Sequence, residues 1–317
     1  MTEIELFRNS APIDPQLHVW GWEIPVYLFL GGLTAGLMIL TALAGRGLPR
    51  ESQSRAMRLL PFAAPILLSL GMGALFLDLE YKLHVFRFYT AMRPTSPMSW
   101  GSWILLLIYP ATILLGLARL SDGEMAALPR TGRFRGRLAA IVSRLRDIAT
   151  SRAPQLERAN VILGIALGGY TGILLGTLGA RALWSTVILG PLFLVSGVST
   201  GAAFMMLFRL GHEEHAMLRR WDTGAIGLEI VLLAMFFVEL AANGGQKGQA
   251  AVDLFFGGSY TGPFWVLVVI SGLIVPLAIE LAETQKGWRP AIVAPVLLLV
   301  GGLALRWILV LAGQASI

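Results

Sequence analysis

The chain has 317 residues, of which 56% are hydrophobic and only 14% are charged, and its formal net charge is +6. A typical soluble domain carries about a quarter of charged residues, so this composition excludes an ordinary soluble protein. The complete lack of cysteine excludes a disulfide, a thiol nucleophile and an iron–sulfur cluster held by the chain's own thiolates.

Eight apolar blocks follow one another along the chain, each close to the roughly 20 residues that a helix needs to cross a bilayer. The blocks cover residues 20–44, 60–79, 99–119, 159–180, 183–209, 222–242, 262–282 and 290–313. None alternates as a strand of a membrane barrel would, and backbone groups in lipid must find partners within their own segment. We therefore predict an all-α integral membrane protein with eight transmembrane helices.

The basic residues predict an orientation. Most of the 25 lysines and arginines fall in the first, third, fifth and seventh loops. The positive-inside rule makes these loops cytoplasmic and both termini periplasmic. In the long third loop, apolar residues at helical spacing from Leu138 to Ile148 predict an amphipathic helix on the anionic inner leaflet. The charge thus orients the protein in the lipid bilayer, and we expect no nucleic-acid partner.

Two glycine pairs indicate an internal repeat. Gly32 and Gly36 in the first span have the same spacing as Gly197 and Gly201 in the fifth, and such pairs let helix backbones approach closely. The pattern predicts two parallel four-helix bundles. The predicted division is 1–158 for spans one to three with the basic loop, 159–182 for the fourth span completing the first bundle, and 183–317 for the second bundle.

Ionisable residues inside membrane spans are costly, so each is a functional candidate. On the predicted outer side these are Glu23, Asp78, Glu80, His84, Glu239 and Arg306, and on the inner side Asp222, Glu229, Glu280 and Glu283. Tyr27 and Tyr170 add neutral hydrogen-bond donors in the outer half. Structural alternatives stay open: Arg306 pairs with Glu239 as a buried ion pair, Asp78 caps a helix junction or binds Lys82, and the tyrosines simply pack.

The positions of the four histidines argue against a haem or metal site in this chain. None of the four histidines lies mid-span, which argues against a bis-histidine haem. His212 and His215 have a spacing that can ligate metal, but an exposed turn is the more typical setting, and we predict no metal site.

We expect an interfacial belt of tryptophans at the span ends, formed by Trp20, Trp22, Trp100, Trp103, Trp184, Trp221, Trp265 and Trp288.

Four segments in order resemble the NrfD family, which includes the membrane subunit of polysulfide reductase. They are Trp20-Gly-Trp-Glu-Ile-Pro-Val-Tyr27 running into Gly31 to Gly36, Asp78-Leu79 with Ser96-Pro-Met-Ser-Trp-Gly-Ser-Trp103, Gly169 to Leu175 with Trp184 and Pro191 to Ala202, and Gly301 to Gln314. The run from Ser96 and the ordered set of four are specific, whereas a single glycine pair is weak.

The resemblance implies a quinone-reactive membrane subunit of a respiratory oxidoreductase in the bacterial cytoplasmic (inner) membrane. Such a subunit holds no haem and no iron–sulfur cluster, and it binds menaquinone or ubiquinone as an exchangeable substrate. Its implied partners are a ferredoxin-like iron–sulfur subunit on the periplasmic face and a molybdenum-containing or other catalytic subunit. The terminal catalytic site is then expected on the partner.

The resemblance also implies site residues within the first bundle, on the outer side. Carried over residue by residue, the quinone-binding positions fall on Tyr27 and Tyr170, and the acid at the end of the second span falls on Asp78. We expect the tyrosines to contact the quinone head group, while Asp78, with Glu23 or His84, exchanges protons with the outer face.

A proton path through the second bundle is a further expectation, formed by Glu229, Glu239 and Arg306 because of their position in the membrane. Two other functions stay open on the residues alone. One is a secondary transporter, since repeated bundles with buried charges also suit transport. The other is a membrane anchor without its own redox site.

Overall fold

The computed structural model describes residues 20–47, 52–90, 95–126, 133–177, 181–286 and 292–316, and within these ranges the chain forms helices and no strand. Eight helices are long and apolar enough to cross a membrane. They are α1 (Glu23–Gly47), α2 (Arg55–Asp78), α3 (Pro97–Arg119), α4 (Ala153–Gly176), α5 (Leu189–Met206), α6 (His212–Ala242), α7 (Thr261–Gln285) and α8 (Val293–Ala315). The predicted multi-pass membrane protein with eight spans is confirmed.

Two spanning helices change their winding along their length. α2 consists of Arg55–Leu59, a 3₁₀ turn over Leu60–Phe62 that contains Pro61, and the regular helix Ala63–Asp78. α7 is π-helical over Phe264–Ile274 before it continues as an α-helix. Shorter helices lie between the spans at Lys82–His84, Arg87–Thr90, Asp122–Ala126 and Gly245–Asp253.

α6 begins ten residues earlier than the apolar pattern predicts. Its first residue is His212, and Gly211 serves as the N-cap while the side chain of Glu214 accepts a hydrogen bond of 2.7 Å from the Gly211 N–H. Glu214 also accepts a bond of 2.7 Å from the backbone N–H of Ser54 in the first loop. The exposed turn expected around His212 and His215 is therefore wrong, because this capping box makes the segment the first turn of a helix.

α1 occupies the centre of the bundle, in contact with α2, α4, α5 and α8. It meets α5 through the two glycine pairs. A Cβ added to Gly197 would lie 2.6 Å from the carbonyl oxygen of Gly32, and one added to Gly36 would overlap the carbonyl oxygen of Gly197. The predicted close approach of helix backbones is confirmed, and the two pairs approach each other. The division into two parallel repeats stays a prediction.

Both ends of the described chain lie on one side, called the terminal side below. The amide of Gln314 exchanges two hydrogen bonds of 3.0 Å with the backbone of Trp20, and Arg181 donates to the carbonyls of Gln314 and Ser316. The opposite side, called the far side, is where α1, α3, α5 and α7 end. The assignment of the terminal side to the periplasm stays a prediction.

An ion pair fastens the beginning of α2 to the short helix Asp122–Ala126 on the far side. Arg58 binds Glu124 through two hydrogen bonds of 3.1 and 3.3 Å, and the backbone N–H of Ser121 donates to the same carboxylate at 2.7 Å. Burial alone would raise the pKa of Glu124, but the bonds from Arg58 and Ser121 outweigh it and lower the pKa to about 2. Glu124 is therefore a charged acid at neutral pH.

The amphipathic helix predicted in the long third loop is present as Arg133–Ser151, on the far side beside α3. Arg146 anchors it through bonds to the carbonyl of Leu120 and to Asp122, and Val142 packs against an apolar cluster. Ile141, Leu145 and Ile148 on the same helix remain exposed. This apolar row suits contact with lipid acyl chains, and its preference for an anionic leaflet stays a prediction.

One tryptophan contradicts the predicted belt. Trp184 is only 4% exposed, because its ring lies 5.2 Å from that of Trp20 and its indole N–H donates to the carbonyl of Leu309 at 3.0 Å. It packs between helix ends inside the protein and faces no lipid. The rings of Trp22, Trp100, Trp221 and Trp265 are exposed as the belt requires, and Trp288 lies outside the described residues.

Candidate functional site

A cavity of about 580 Å³ opens on the terminal side between α1, α2, α3 and α4. Its size falls within the range of about 300–1,000 Å³ that is typical of small-molecule sites. Most of the wall is apolar, formed by Trp20, Ile24, Leu28, Met72, Leu75, Phe76, Leu79, Val85, Met98, Leu105, Leu174 and Leu175. Such a wall suits a ligand with a large apolar part.

Tyr27 of α1 and Tyr170 of α4 bring the main polar groups to this cavity. Their side chains are 2% and 7% exposed, and they lie close enough to interact electrostatically. Within the described part of the chain, neither hydroxyl forms a hydrogen bond to another protein group. A buried tyrosine hydroxyl normally finds a partner, so these two donors are free to bind a ligand.

Gly101 of α3 makes room for the ring of Tyr170. A Cβ added at Gly101 would overlap the ring and hydroxyl of Tyr170, so only glycine permits this position of the tyrosine. Gly73 of α2 lines the same cavity, but a Cβ there would meet no atom within 4 Å. The two glycines therefore differ sharply in their importance for the site.

Asp78 brings a carboxyl group to the same cavity, at the last residue of α2. The helix ends there because Leu79 adopts an extended backbone conformation with φ −64° and ψ 126°. Glu23, in the first turn of α1, is near enough to interact electrostatically with Asp78. The structure thus brings three predicted residues, Tyr27, Tyr170 and Asp78, to one cavity, with Glu23 beside it.

His84 occupies a different position. It belongs to the short helix Lys82–His84, its side chain is exposed, and its ring lies 6.3 Å from that of Tyr81 and 6.4 Å from that of Phe86. It is not among the described residues that line the cavity. A direct role in the cavity, as expected for His84, thus lacks support from its position, whereas Val85 beside it does reach the wall.

Sequence reasoning missed four polar residues of the wall, Tyr89, Ser96, Ser102 and Thr177. Tyr89 belongs to the short helix Arg87–Thr90 outside the spans, where burial and then the neighbouring Tyr109 raise its pKa, so its hydroxyl stays protonated. Ser96 and Ser102 lie in the motif that carried the family resemblance, which was the one signal for them. Tyr89 had no signal because it lies outside the predicted spans, and Thr177, inside the predicted fourth span, had none because it is neither ionisable nor part of a quoted motif.

Arg306 forms a second polar centre, fully buried on α8. Its guanidinium donates to Ser196 Oγ at 3.1 Å, to the carbonyl of Gly302 at 2.9 Å and to the carbonyl of Phe193 at 3.2 Å. The same group lies 5.2 Å from the centre of the Phe193 ring and packs against Gly32 of α1. These contacts hold the charge where α1, α5 and α8 meet.

The structural alternative in which Arg306 pairs with Glu239 is wrong. Glu239 lies at the terminal end of α6, where its carboxylate accepts a hydrogen bond from the hydroxyl of Thr186. Glu229, almost three turns away on α6, is the acid that interacts with Arg306. Ser196 accepts a hydrogen bond from Arg306 and lines the same small space as Glu229. Equal depth in the membrane suggested the pair, but the side chains of Arg306 and Glu239 face different neighbours.

Comparison with known proteins agrees with the motifs. The family model described as "Polysulphide reductase, NrfD" matches residues 11–317. The chain belongs to the NrfD family. The resemblance predicted from the four sequence segments is therefore confirmed.

Individual members of the NrfD family align with nearly the full chain. "Protein NrfD" of Escherichia coli (strain K12) is 33% identical over 309 residues, covering 94% of this chain and 96% of the relative. A polysulfide reductase component of Wolinella succinogenes is 29% identical, over 94% of this chain and 95% of the relative. A selenate reductase component of Mesobacillus selenatarsenatis is 25% identical, over 94% of this chain and 74% of the relative.

Proposed function

We propose that this NrfD-family protein is the quinone-reactive membrane subunit of a respiratory oxidoreductase. The observation that carries the proposal is the apolar cavity of about 580 Å³, into which Tyr27 and Tyr170 bring hydroxyls without protein partners. A quinone needs apolar walls for its ring and hydrogen-bond donors at its carbonyl oxygens. Both features are present in one place, at the end of the bundle where the chain termini lie.

The quinone, menaquinone or ubiquinone, is an exchangeable substrate in this proposal. Tyr27 and Tyr170 would donate to its carbonyl oxygens, while the apolar wall from α2 and α3 would cover the ring and lead the isoprenoid tail toward lipid. Asp78, with Glu23 beside it, would exchange the protons that accompany electron transfer. Their position at the mouth of the bundle gives a short route to the aqueous phase.

The electrons require a partner, since the chain has no cysteine to hold a cluster. We propose an iron–sulfur subunit with ferredoxin-like clusters on the terminal side, which would be the periplasmic face of a bacterial cytoplasmic membrane. A molybdenum-containing or other catalytic subunit would carry the terminal site. The relatives from Wolinella succinogenes and Mesobacillus selenatarsenatis, each named as one component of a reductase, support such an assembly.

The decisive experiment measures quinone affinity in the Tyr27→Phe/Tyr170→Phe double variant. Each neutral hydrogen bond contributes about 1 kcal/mol, so losing two should weaken binding by roughly 30-fold. The matched control is Tyr109→Phe, which removes a tyrosine hydroxyl that bonds Ser69 at 3.0 Å, away from the cavity. Titration of the purified protein with a quinone analogue, followed by intrinsic fluorescence, gives the affinities.

Unchanged affinity in the double variant would rule out this site. Co-purification of the partner subunits is measured on the same samples, and we expect the double variant to retain them. A protein that holds its partners but binds no quinone would instead be a membrane anchor, and one that binds neither would favour a transporter.

A further inference from the structure

Two buried acids meet on the far side of the last four helices, away from the cavity. Asp222 of α6 is fully buried, and Glu280 of α7 is 2% exposed. Their carboxyl groups are close enough to interact directly, and Thr223, next to Asp222 in the chain, hydrogen-bonds to Glu280. Two unpaired carboxylates would be very costly at this position in a membrane, so the contact needs a physical explanation.

Neighbouring hydroxyls account for one oxygen of each acid. Ser199 Oγ donates to Asp222 Oδ1 at 2.7 Å, and Thr223 Oγ1 donates to Glu280 Oε2 at 2.8 Å. The remaining oxygens, Asp222 Oδ2 and Glu280 Oε1, are buried and receive no donor from any described residue. Each acid therefore keeps one buried oxygen that still needs a donor.

A single proton resolves this arrangement better than a metal ion. Two carboxylates in contact cannot both ionise in a medium of low dielectric, and a proton between them both removes one charge and supplies the missing donor. A hard cation such as Ca²⁺ or Mg²⁺ would require about six oxygen ligands. The pair supplies only two carboxyl groups, and no cluster of three or more His, Cys, Asp or Glu side chains that could hold a metal ion occurs among the described residues.

The pair lies one helical turn from charged groups nearer the far side. Arg219, one turn before Asp222 on α6, forms an ion pair of 3.6 Å with Glu283, one turn after Glu280 on α7. The Arg219 side chain is 18% exposed, whereas the Glu283 side chain is 5% exposed. This ion pair therefore stands between the buried acids and the aqueous phase.

On its other side the pair adjoins a small polar space toward the middle of the membrane. A cavity of about 10 Å³ is lined by Ser196, Ser199, Thr200 and Glu229 among other residues. That volume is about enough for one water molecule, and the lining offers the two to four polar partners that a buried water needs. Ser199 thus contacts both Asp222 and the space that leads to Glu229.

We propose that Asp222 and Glu280 hold one exchangeable proton between them and form the far-side entrance of a proton path to Glu229. The path would run from the ion pair of Arg219 and Glu283 to the two acids, and from there past Ser199 to Glu229 beside Arg306. Holding the proton is a property of the pair alone. Its movement during turnover rests on the proposed quinone function.

The charged groups around the pair are few. α7 contributes Glu283 besides Glu280, and α6 contributes Arg219 and Glu229 besides Asp222. From α5 the described contact is the hydroxyl of Ser199. The Asp222→Asn and Glu280→Gln substitutions keep the shape of the side chains, so each removes the shared proton with little change in packing.

Infrared difference spectroscopy of the purified chain after a step in pH tests the shared proton without any quinone. The wild type should show one protonated-carboxyl band that is lost in both Asp222→Asn and Glu280→Gln. The matched control is Glu214→Gln, an equally buried far-side acid that accepts two backbone N–H bonds. That variant should retain the band, and a band that survives in both test variants overturns the proposal.

Proteoliposomes containing the whole oxidoreductase complex test the path. With a pH-sensitive dye on the far side, we expect proton uptake per quinol to be lost in Asp222→Asn while quinone turnover continues in uncoupled vesicles. Unchanged uptake in Asp222→Asn and Glu280→Gln would overturn the path and leave the quinone site standing. A complex with no quinone turnover in the wild type would instead overturn the proposed function, and the infrared result would still decide the shared proton.

Discussion

The cavity of the first four helices and the acid pair of the last four place polar groups inside the same bundle in opposite ways. In the cavity, Tyr27 and Tyr170 face an apolar space of about 580 Å³ and leave their donors unused. In the pair, Asp222 and Glu280 lie side by side, and a described space beside them measures about 10 Å³. The cavity leaves much free space around polar groups that have few protein partners. The acid pair has several protein partners and almost no free space around it.

This difference indicates what each region is able to bind. Donors that face open space can exchange a large ring, since no protein bond must break first. Two buried acids packed side by side with almost no free space can exchange only something as small as a proton. In this protein, the loosely packed region thus suits a substrate and the tightly packed region suits a proton.

The two regions depend on one backbone contact, and Gly36→Ala should break it. A methyl group there overlaps the carbonyl oxygen of Gly197, and neither backbone can move without shifting a whole helix. Overpacking of this kind costs about 3 kcal/mol. The free energy of unfolding, measured by detergent titration of the purified protein, gives the effect. The control is Gly227→Ala on α6, where a Cβ meets no atom within 4 Å, and this variant should unfold like the wild type. Equal stability of the two variants would contradict the importance of the contact between Gly36 and Gly197.

Glu124 is a far-side acid that stays charged, in contrast to the pair of Asp222 and Glu280, which we propose shares a proton. Because its pKa falls from 4.5 to about 2 on folding, its stabilising effect is complete above pH 4.5 and is lost as the pH falls toward 2. Glu124→Gln should lower the free energy of unfolding at neutral pH by on the order of 2 kcal/mol. Thermal unfolding in detergent at pH 7 and at about pH 3 measures this. The difference between variant and wild type should shrink at the lower pH, and a constant difference would refute the charge-based account.

The smallest expected effect distinguishes two glycines of the cavity wall. Gly101→Ala should displace the Tyr170 ring and weaken quinone binding about tenfold, or about 1.4 kcal/mol. Gly73→Ala adds a methyl group to the same wall where nothing opposes it, so its affinity should remain near that of the wild type. Quinone-analogue titration compares both with the wild type. Equal losses would mean that cavity volume, and not the position of Tyr170, governs binding.

The spans could be predicted from the sequence because hydrophobic length is a local property. Even so, the predicted start of α6 at residue 222 was wrong, since charged residues such as Glu213 and Arg220 resemble a loop although the helix continues through them to His212. Apolar length locates the part of a helix that lies in lipid. The capping interactions of Glu214 decide where the helix begins, and they depend on a tertiary contact with Ser54.

The site was predictable only where a motif pointed to it. Tyr27, Tyr170 and Asp78 were candidates from their positions in the spans, but their roles came from the family resemblance, and the spacing of residues on three separate helices does not show that they enclose a common space. Arg306 shows the limit most clearly, because counting residues along separate spans placed it level with Glu239. The acid that interacts with it is Glu229, about 15 Å farther along α6, and only the packing of α6 against the other helices decides this.

The contact of α1 with α5 also bears on how the protein is made. Gly32 and Gly36 meet glycines that leave the ribosome only after three further spans have been synthesised. At about 5–20 residues per second, that interval lasts roughly ten seconds or more. During translation the glycine face of α1 must therefore be covered by lipid or by the insertion machinery, and the centre of the finished bundle is among the last parts to assemble.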